Sequence, residues 1–219
     1  MNEAIFLLHT LLLLGAIFGA QRLGKEALVT LIALCVVMAN LFVLKQIVLF
    51  HLQVTCADLY AVGGMIALNL LREFHGPKIA RQVIWISFGA AMLFTLFSLV
   101  QIVYKPSSGD WAHTSFVTLL TPVPRLMAAS LGVYFIVQRL DLWLFERLKK
   151  SLPLGVRTAV CVSISQLIDT VLFSFLALAG LVESIFSIIV VSYAIKLVAL
   201  ALMTPLTLLA KRWQRDVSV

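Results

Sequence analysis

Inside an otherwise apolar run from Val160 to Leu181, the stretch SISQLIDT (Ser163 to Thr170) gathers two serines, a glutamine, an aspartate and a threonine. The chemistry these side chains offer is recognition. A carboxylate accepts hydrogen bonds from two neighbouring donors at once, an amide offers a donor and an acceptor, and a hydroxyl serves as either. Ser163, Gln166, Asp169, Thr170 and Phe173 recur at three- and four-residue steps, so they share one helical face, which should look into a bundle. The next apolar run carries Lys196. A charge at membrane depth costs about 2.5–3.5 kcal/mol on insertion scales, and that cost has to be recovered by pairing or by function. Asp169 and Lys196 can neutralise one another on sequential, antiparallel helices. The alternative to a functional pair is a purely structural salt bridge.

Other polar residues fall at further levels of the same apolar chain. Lys45, Asp58 and Arg125 lie toward one side, Asn40 lies near the middle, and Asn69, Glu73, Gln138 and Asp141 lie toward the other. Polar groups at three depths suit a pathway. The competing reading is that Ser, Thr and Asn glue helices together, and that Arg72, Glu73, Asp141 and Arg157 snorkel at an interface. No phosphate loop, His-Glu-x-x-His or nucleophile–base motif is present, so no catalytic residue is assigned. The four histidines are scattered. Cys35, Cys56 and Cys161 sit in apolar runs without metal-type spacing, so no disulfide framework, metal site or cofactor is expected.

The elements that hold these residues follow from composition. Of the 219 residues 62% are hydrophobic and 12% charged, and the mean hydropathy is +1.05. A soluble domain is nearer half apolar and a quarter charged, so this is an integral membrane protein. A spanning helix needs about 20 apolar residues. Seven segments qualify, at 4–20, 27–50, 54–72, 83–104, 122–143, 157–180 and 183–209. The expected fold is therefore an all-α polytopic bundle of about seven transmembrane helices. It forms one transmembrane domain over 1–219, a six-helix core plus an extra N-terminal helix. The opening MNEAIFLLHTLLLLGAIFGA lacks a basic n-region and reads as a retained span. With the N-terminus outside, 13 of the 17 Lys and Arg residues fall on the cytoplasmic side, as the positive-inside rule requires. The net charge of +7 is thus topological and implies no nucleic-acid partner. In this frame Asp169 lies twelve residues into its span from Arg157, about 18 Å deep. Gln-x-x-Asp recurs in spans five and six (Gln138/Asp141, Gln166/Asp169). Spans two to four and five to seven would form halves of opposite orientation, a layout some transporters use.

Five stretches resemble the queuosine-precursor transporter family, also grouped as vitamin uptake transporters: ANLFVLKQ (Ala39 to Gln46), REFHGPKIAR (Arg72 to Arg81), RLMAAS with QRLD (Arg125 to Asp141), RTAVCVSISQLIDTVLF (Arg157 to Phe173), and YAIK followed by Thr204-Pro205. One departure is Asn69, where members often carry Asp four residues before the Glu. The resemblance implies uptake of 7-deazaguanine bases, the cyano or aminomethyl precursors or queuine, across a bacterial inner membrane for tRNA modification. The implied partners are that base and membrane lipids, with a homo-oligomer as a candidate assembly. The implied substrate-binding set is Asn40, Lys45, Asn69, Glu73, Arg125, Gln138, Asp141, Gln166, Asp169 and Lys196. A deazaguanine presents N1–H and a 2-amino group side by side, which one carboxylate, Asp169 or Glu73, accepts together. Its 6-oxo group needs a donor from Asn40, Gln166, Lys196 or Arg125. Three alternatives remain: a substrate-binding subunit energised by a separate ATPase, a membrane enzyme using Asp169 as acid or base, and a structural membrane subunit. The orientation has a direct test. A reporter fused after Val219 should read as cytoplasmic, and an external signal would overturn the topology.

Overall fold

The computed structural model describes residues 1–148, 151, 153–198, 200 and 201. The expected last span (183–209) is described up to residue 201 apart from residue 199. Thr204, Pro205 and the basic residues Lys149, Lys150, Lys211, Arg212 and Arg215 lie outside the described residues. Helices α1 (Asn2–Leu23) and α2 (Lys25–Phe42) are followed by strands β1 (Gln46–Leu49) and β2 (Leu52–Thr55). Then come α3 (Asp58–His75), α4 (Pro77–Val103), the short α5 (His113–Leu120), α6 (Val123–Arg147) and α7 (Leu154–Leu178), and the apolar helix α8 (Ile185–Val198). Five stretches, α1, α2, α4, α5 with α6, and α7, are long and apolar enough to cross a membrane. The protein is a polytopic helical membrane protein.

Local chemistry sets the joints. Gly24 (φ 108°) and Gly76 (φ 87°) adopt positive φ between consecutive helices, a conformation that costs glycine nothing. Pro77 then opens α4, where its missing N–H is not needed. Asp110 Oδ1 accepts from the backbone N–H groups of Ala112 (3.0 Å) and His113 (3.1 Å), capping the entry to α5. Ser184 Oγ does the same for Ser187 N at 3.3 Å where α8 begins.

The second span departs from expectation. The apolar run 27–50 leaves the helix at Phe42, and its remainder pairs antiparallel with Leu52–Thr55, Ile47 facing Val54 and Leu49 facing Leu52. Phe50 (φ 49°) and His51 (φ 65°) form the turn. An apolar run alone does not separate strand from helix; β-branched residues and length do, and here Ile47, Val48, Val54 and Thr55 flank a two-residue reversal. The hairpin lies at one end of the bundle. Val48 O accepts from Asn2 Nδ2 at 3.0 Å, Gln53 Nε2 donates to Glu183 Oε2 at 2.6 Å, and Gln46 Nε2 donates to Leu181 O at 3.3 Å.

Two apolar clusters form the core. One joins α1, α2 and α3 to the start of α4 through Ile17, Leu28, Ile32, Ile66, Leu70 and Val83. The other joins Val43 and Ala57 to Leu126, Ala129, Leu178 and Ile188. α3 packs against α1, α2 and α4, and Gly63 and Gly64 let two of these helices approach it closely. A Cβ on Gly64 would meet Cys35 Cβ of α2 at 3.3 Å. Leu8, Leu11 and Leu12 of α1 and Leu93, Leu96 and Phe97 of α4 are exposed, a surface suited to lipid. Gly64→Leu should wedge α2 from α3 and lower stability by about 1–3 kcal/mol, as overpacking does. Thermal unfolding in detergent checks this, and an unchanged melting temperature would contradict the close packing.

Candidate functional site

The helices leave between them a cavity of about 400 Å³, within the range of small-molecule sites. Helices α2, α3 and α4 line it from one side, and α6, α7 and α8 from the other. Its walls are mainly apolar and aromatic. Tyr60, Phe88, Tyr134 and Phe173 all face it, with the Phe88 and Tyr134 rings edge to face at 5.1 Å.

Five of the ten expected residues line this cavity: Asn40, Gln138, Gln166, Asp169 and Lys196. The expected pairing of acid and base is present. Lys196 Nζ donates to Asp169 Oδ2 at 2.6 Å and to Thr170 Oγ1 at 3.0 Å, and Thr170 Oγ1 in turn donates to Gln166 O at 2.8 Å. The exposure is unequal, 12% for the Lys196 side chain and 31% for Asp169. The base is the buried anchor, and the acid is the group a ligand can reach. Among the described residues only Oδ2 of Asp169 takes a hydrogen bond, so Oδ1 and the remaining lone pairs are open to a donor.

The other half of the expected set divides by role. Asn40 lines the cavity but is already engaged, since its Oδ1 accepts from Ser130 Oγ at 2.9 Å and its Nδ2 donates to Val36 O at 2.9 Å. It ties α2 to α6. Asp141 accepts from Ser165 Oγ at 2.8 Å, tying α6 to α7. Arg125 donates from Nε to Leu176 O (3.0 Å) and from Nη2 to Ala179 O (2.9 Å). It thereby satisfies carbonyls orphaned at the α7 C-terminus. Lys45 is exposed at the base of the hairpin, Glu73 is exposed, and Asn69 is half-buried. Arg125, Asp141, Lys45, Asn69 and Glu73 are all absent from the cavity wall.

One cavity carboxylate was missed by the binding assignment. Asp58 is 6% exposed, lines the cavity and accepts from Ser192 Oγ of α8 at 2.9 Å. Its signal was in the sequence. Asp58, Val62, Ile66 and Leu70 recur every four residues and are all buried, so the acid heads the inward row of α3. Placing it by depth alone hid that periodicity.

Residues 55–210 match the profile of the family described as "Putative vitamin uptake transporter". The chain belongs to this family. A relative, the "Probable queuosine precursor transporter" of Bacillus subtilis (strain 168), is 28% identical over 195 residues, covering 86% of this chain and 85% of its own. No solved structure matches the chain. The protein is therefore a membrane transporter and not an enzyme, which sets aside acid–base catalysis by Asp169. The vitamin uptake match contains Asp58, Gln138, Gln166, Asp169 and Lys196, while Asn40 precedes it.

The ion pair can be dissected by substitution. Removing one partner of a buried pair leaves an uncompensated charge, typically at a cost of about 3–5 kcal/mol, whereas removing both is much milder. Asp169→Asn or Lys196→Met alone should destabilise the protein strongly, and the double variant should recover most of the loss. A double variant that is stable but cannot transport marks the pair as functional. One that transports normally reduces it to a structural bridge.

Proposed function

We propose that this transporter takes up a 7-deazaguanine base, a queuosine precursor or queuine, across the bacterial inner membrane, feeding tRNA queuosine modification. The N-terminus lies outside and the C-terminus in the cytoplasm. The observation that carries the reading is the half-engaged carboxylate of Asp169 in an aromatic-walled cavity between the helices. Its supporting context is the relative described as a queuosine precursor transporter.

The cavity chemistry suits such a base. Asp169 accepts N1–H and the 2-amino group side by side, in charge-assisted bonds stronger than neutral ones. Lys196 holds the carboxylate in place from behind. Gln166 and Gln138 supply amide donors for the 6-oxo group, and Phe173, one turn from Asp169, offers a face for the ring. A ring with an adenine-like edge would leave the buried carboxylate half-paired, at about 1–3 kcal/mol per unsatisfied group, hence roughly tenfold to a hundredfold discrimination.

Two measurements test this reading. In cells unable to make the bases, expression of the protein should confer uptake of labelled queuine, or of the cyano or aminomethyl precursor. Adenine should compete poorly. Failure to take up all three would overturn the reading. The Asp169→Asn variant turns one acceptor into a donor, and binding should fall at least tenfold. Unchanged affinity in a folded variant would remove Asp169 from recognition.

A further inference from the structure

The cavity holds more acid than base. Of the described side chains that line it, two are carboxylates, Asp58 and Asp169, and one is a cation, Lys196. Lys196 is committed to Asp169 at 2.6 Å. Asp58 has no ion-pair partner within 4.0 Å among the described residues, and it accepts a neutral hydrogen bond from Ser192. The ionisable groups around it are Cys35 on α2, Cys56 and Tyr60 on its own segment, Tyr134 on α6, Asp169 on α7 and Lys196 on α8. Lys196 alone among them is a cation, and it is spent on the other acid. α4 presents Ile84, Ser87 and Phe88 to the cavity and no charge.

A carboxylate 94% removed from solvent, with no ion-pair partner among the described residues and only the more distant field of the already committed Lys196 acting on it, is stable in either of two ways. It takes up a proton when the cavity is dry, or it keeps its charge while water or a cation reaches it. Both forms have support here. The charged form faces the N-terminus of α3, where Asp58 stands in the first turn, and accepts from Ser192. The neutral form suits the apolar wall. Asp58 also shares α8 with the recognition pair, since Ser192 and Lys196 are four residues apart and thus about 6 Å along the same helix. Any shift of α8 on closing around a ligand at Asp169 also moves the hydroxyl that holds Asp58.

We propose that Asp58 carries the proton that couples uptake to the transmembrane proton gradient, making the protein a proton symporter. This rests on the uptake reading above. One proton from the outer solution binds the Asp58 carboxylate, giving a neutral acid. The loaded cavity closes with its charge balanced. On the cytoplasmic side the same proton leaves as the base leaves, and the carboxylate is restored. No other bond is made or broken.

The test uses the whole protein in proteoliposomes with the labelled base that it takes up in cells. Exchange of label against unlabelled base at equal pH reports binding and translocation, and its absence would count against the uptake reading itself. Where exchange is present, an inward proton gradient should raise accumulation about tenfold per pH unit for one proton per base. A pH-sensitive dye inside the vesicles should acidify with uptake. Asp58→Asn, fixed in the neutral form, should continue to exchange but accumulate no further under any gradient. Wild-type accumulation indifferent to the gradient would overturn the proposal, as would an Asp58→Asn variant that still responds to it. Ser192→Ala guards against a misfolded Asp58 variant. Loss of its hydroxyl favours the protonated acid, so the pH dependence of uptake should move to higher pH. An unmoved profile would also overturn the assignment.

Discussion

Inside a hydrocarbon slab no polar group can borrow a partner from water, and the bond from Lys196 to Asp169 is where this protein meets that constraint most directly. Everything near it is arranged so that the pair can exist. Thr170 takes a second proton of the ammonium group, and Gln166 O takes the threonine proton in turn. The helices that bring the two residues together, α7 and α8, are joined by a short turn at Gly180 (φ 81°), so the two charges meet between antiparallel neighbours. Hydrogen-bonded chains of this kind polarise one another in low dielectric. The same low dielectric makes each open lone pair a strong invitation to a ligand donor.

Around the pair, polar side chains perform two different jobs that composition does not separate. Asn40 with Ser130 and Asp141 with Ser165 are bonds between helices. Arg125 finishes a helix end. These groups are satisfied before any ligand arrives. Asp169 and Asp58 are satisfied on one oxygen by a donor from α8 and are otherwise turned to the cavity. What separates scaffold from site is the number of hydrogen-bond positions still open. Residue type says little about it.

That distinction marks the limit of what the sequence made legible. The polytopic helical bundle was readable, because hydropathy acts on single segments. The pairing of Asp169 with Lys196 was expected from their matched positions on antiparallel helices. Asn69, Glu73 and Lys45 were drawn into the binding set by polarity and a family resemblance, yet they stand off the cavity wall: the rotation of α3 about its axis is decided by neighbours that a single segment does not reveal, and Lys45 falls where the chain leaves α2 for the hairpin. Asp58 was lost the opposite way: its depth was noted and its inward periodicity was not. The hairpin was hidden because KQIVLFHLQVT satisfies the apolar criterion for a span, while its conformation is settled by strand pairing and by tethers from distant chain segments.

Those tethers carry a consequence for the order in which the molecule is made. The hairpin bonds to Asn2, 46 residues before its acceptor, and to Leu181 and Glu183, which are 135 and 130 residues after their donors. Chains are synthesised from the N-terminus at about 5–20 residues per second, so the first anchor exists as soon as the hairpin emerges. The second must wait for nearly all the remaining helices. This end of the bundle is consequently sealed last. Until the turn between α7 and α8 leaves the ribosome, the strands stand fastened at one side only. The nascent transporter therefore passes through its insertion with that end of the bundle held by one tether.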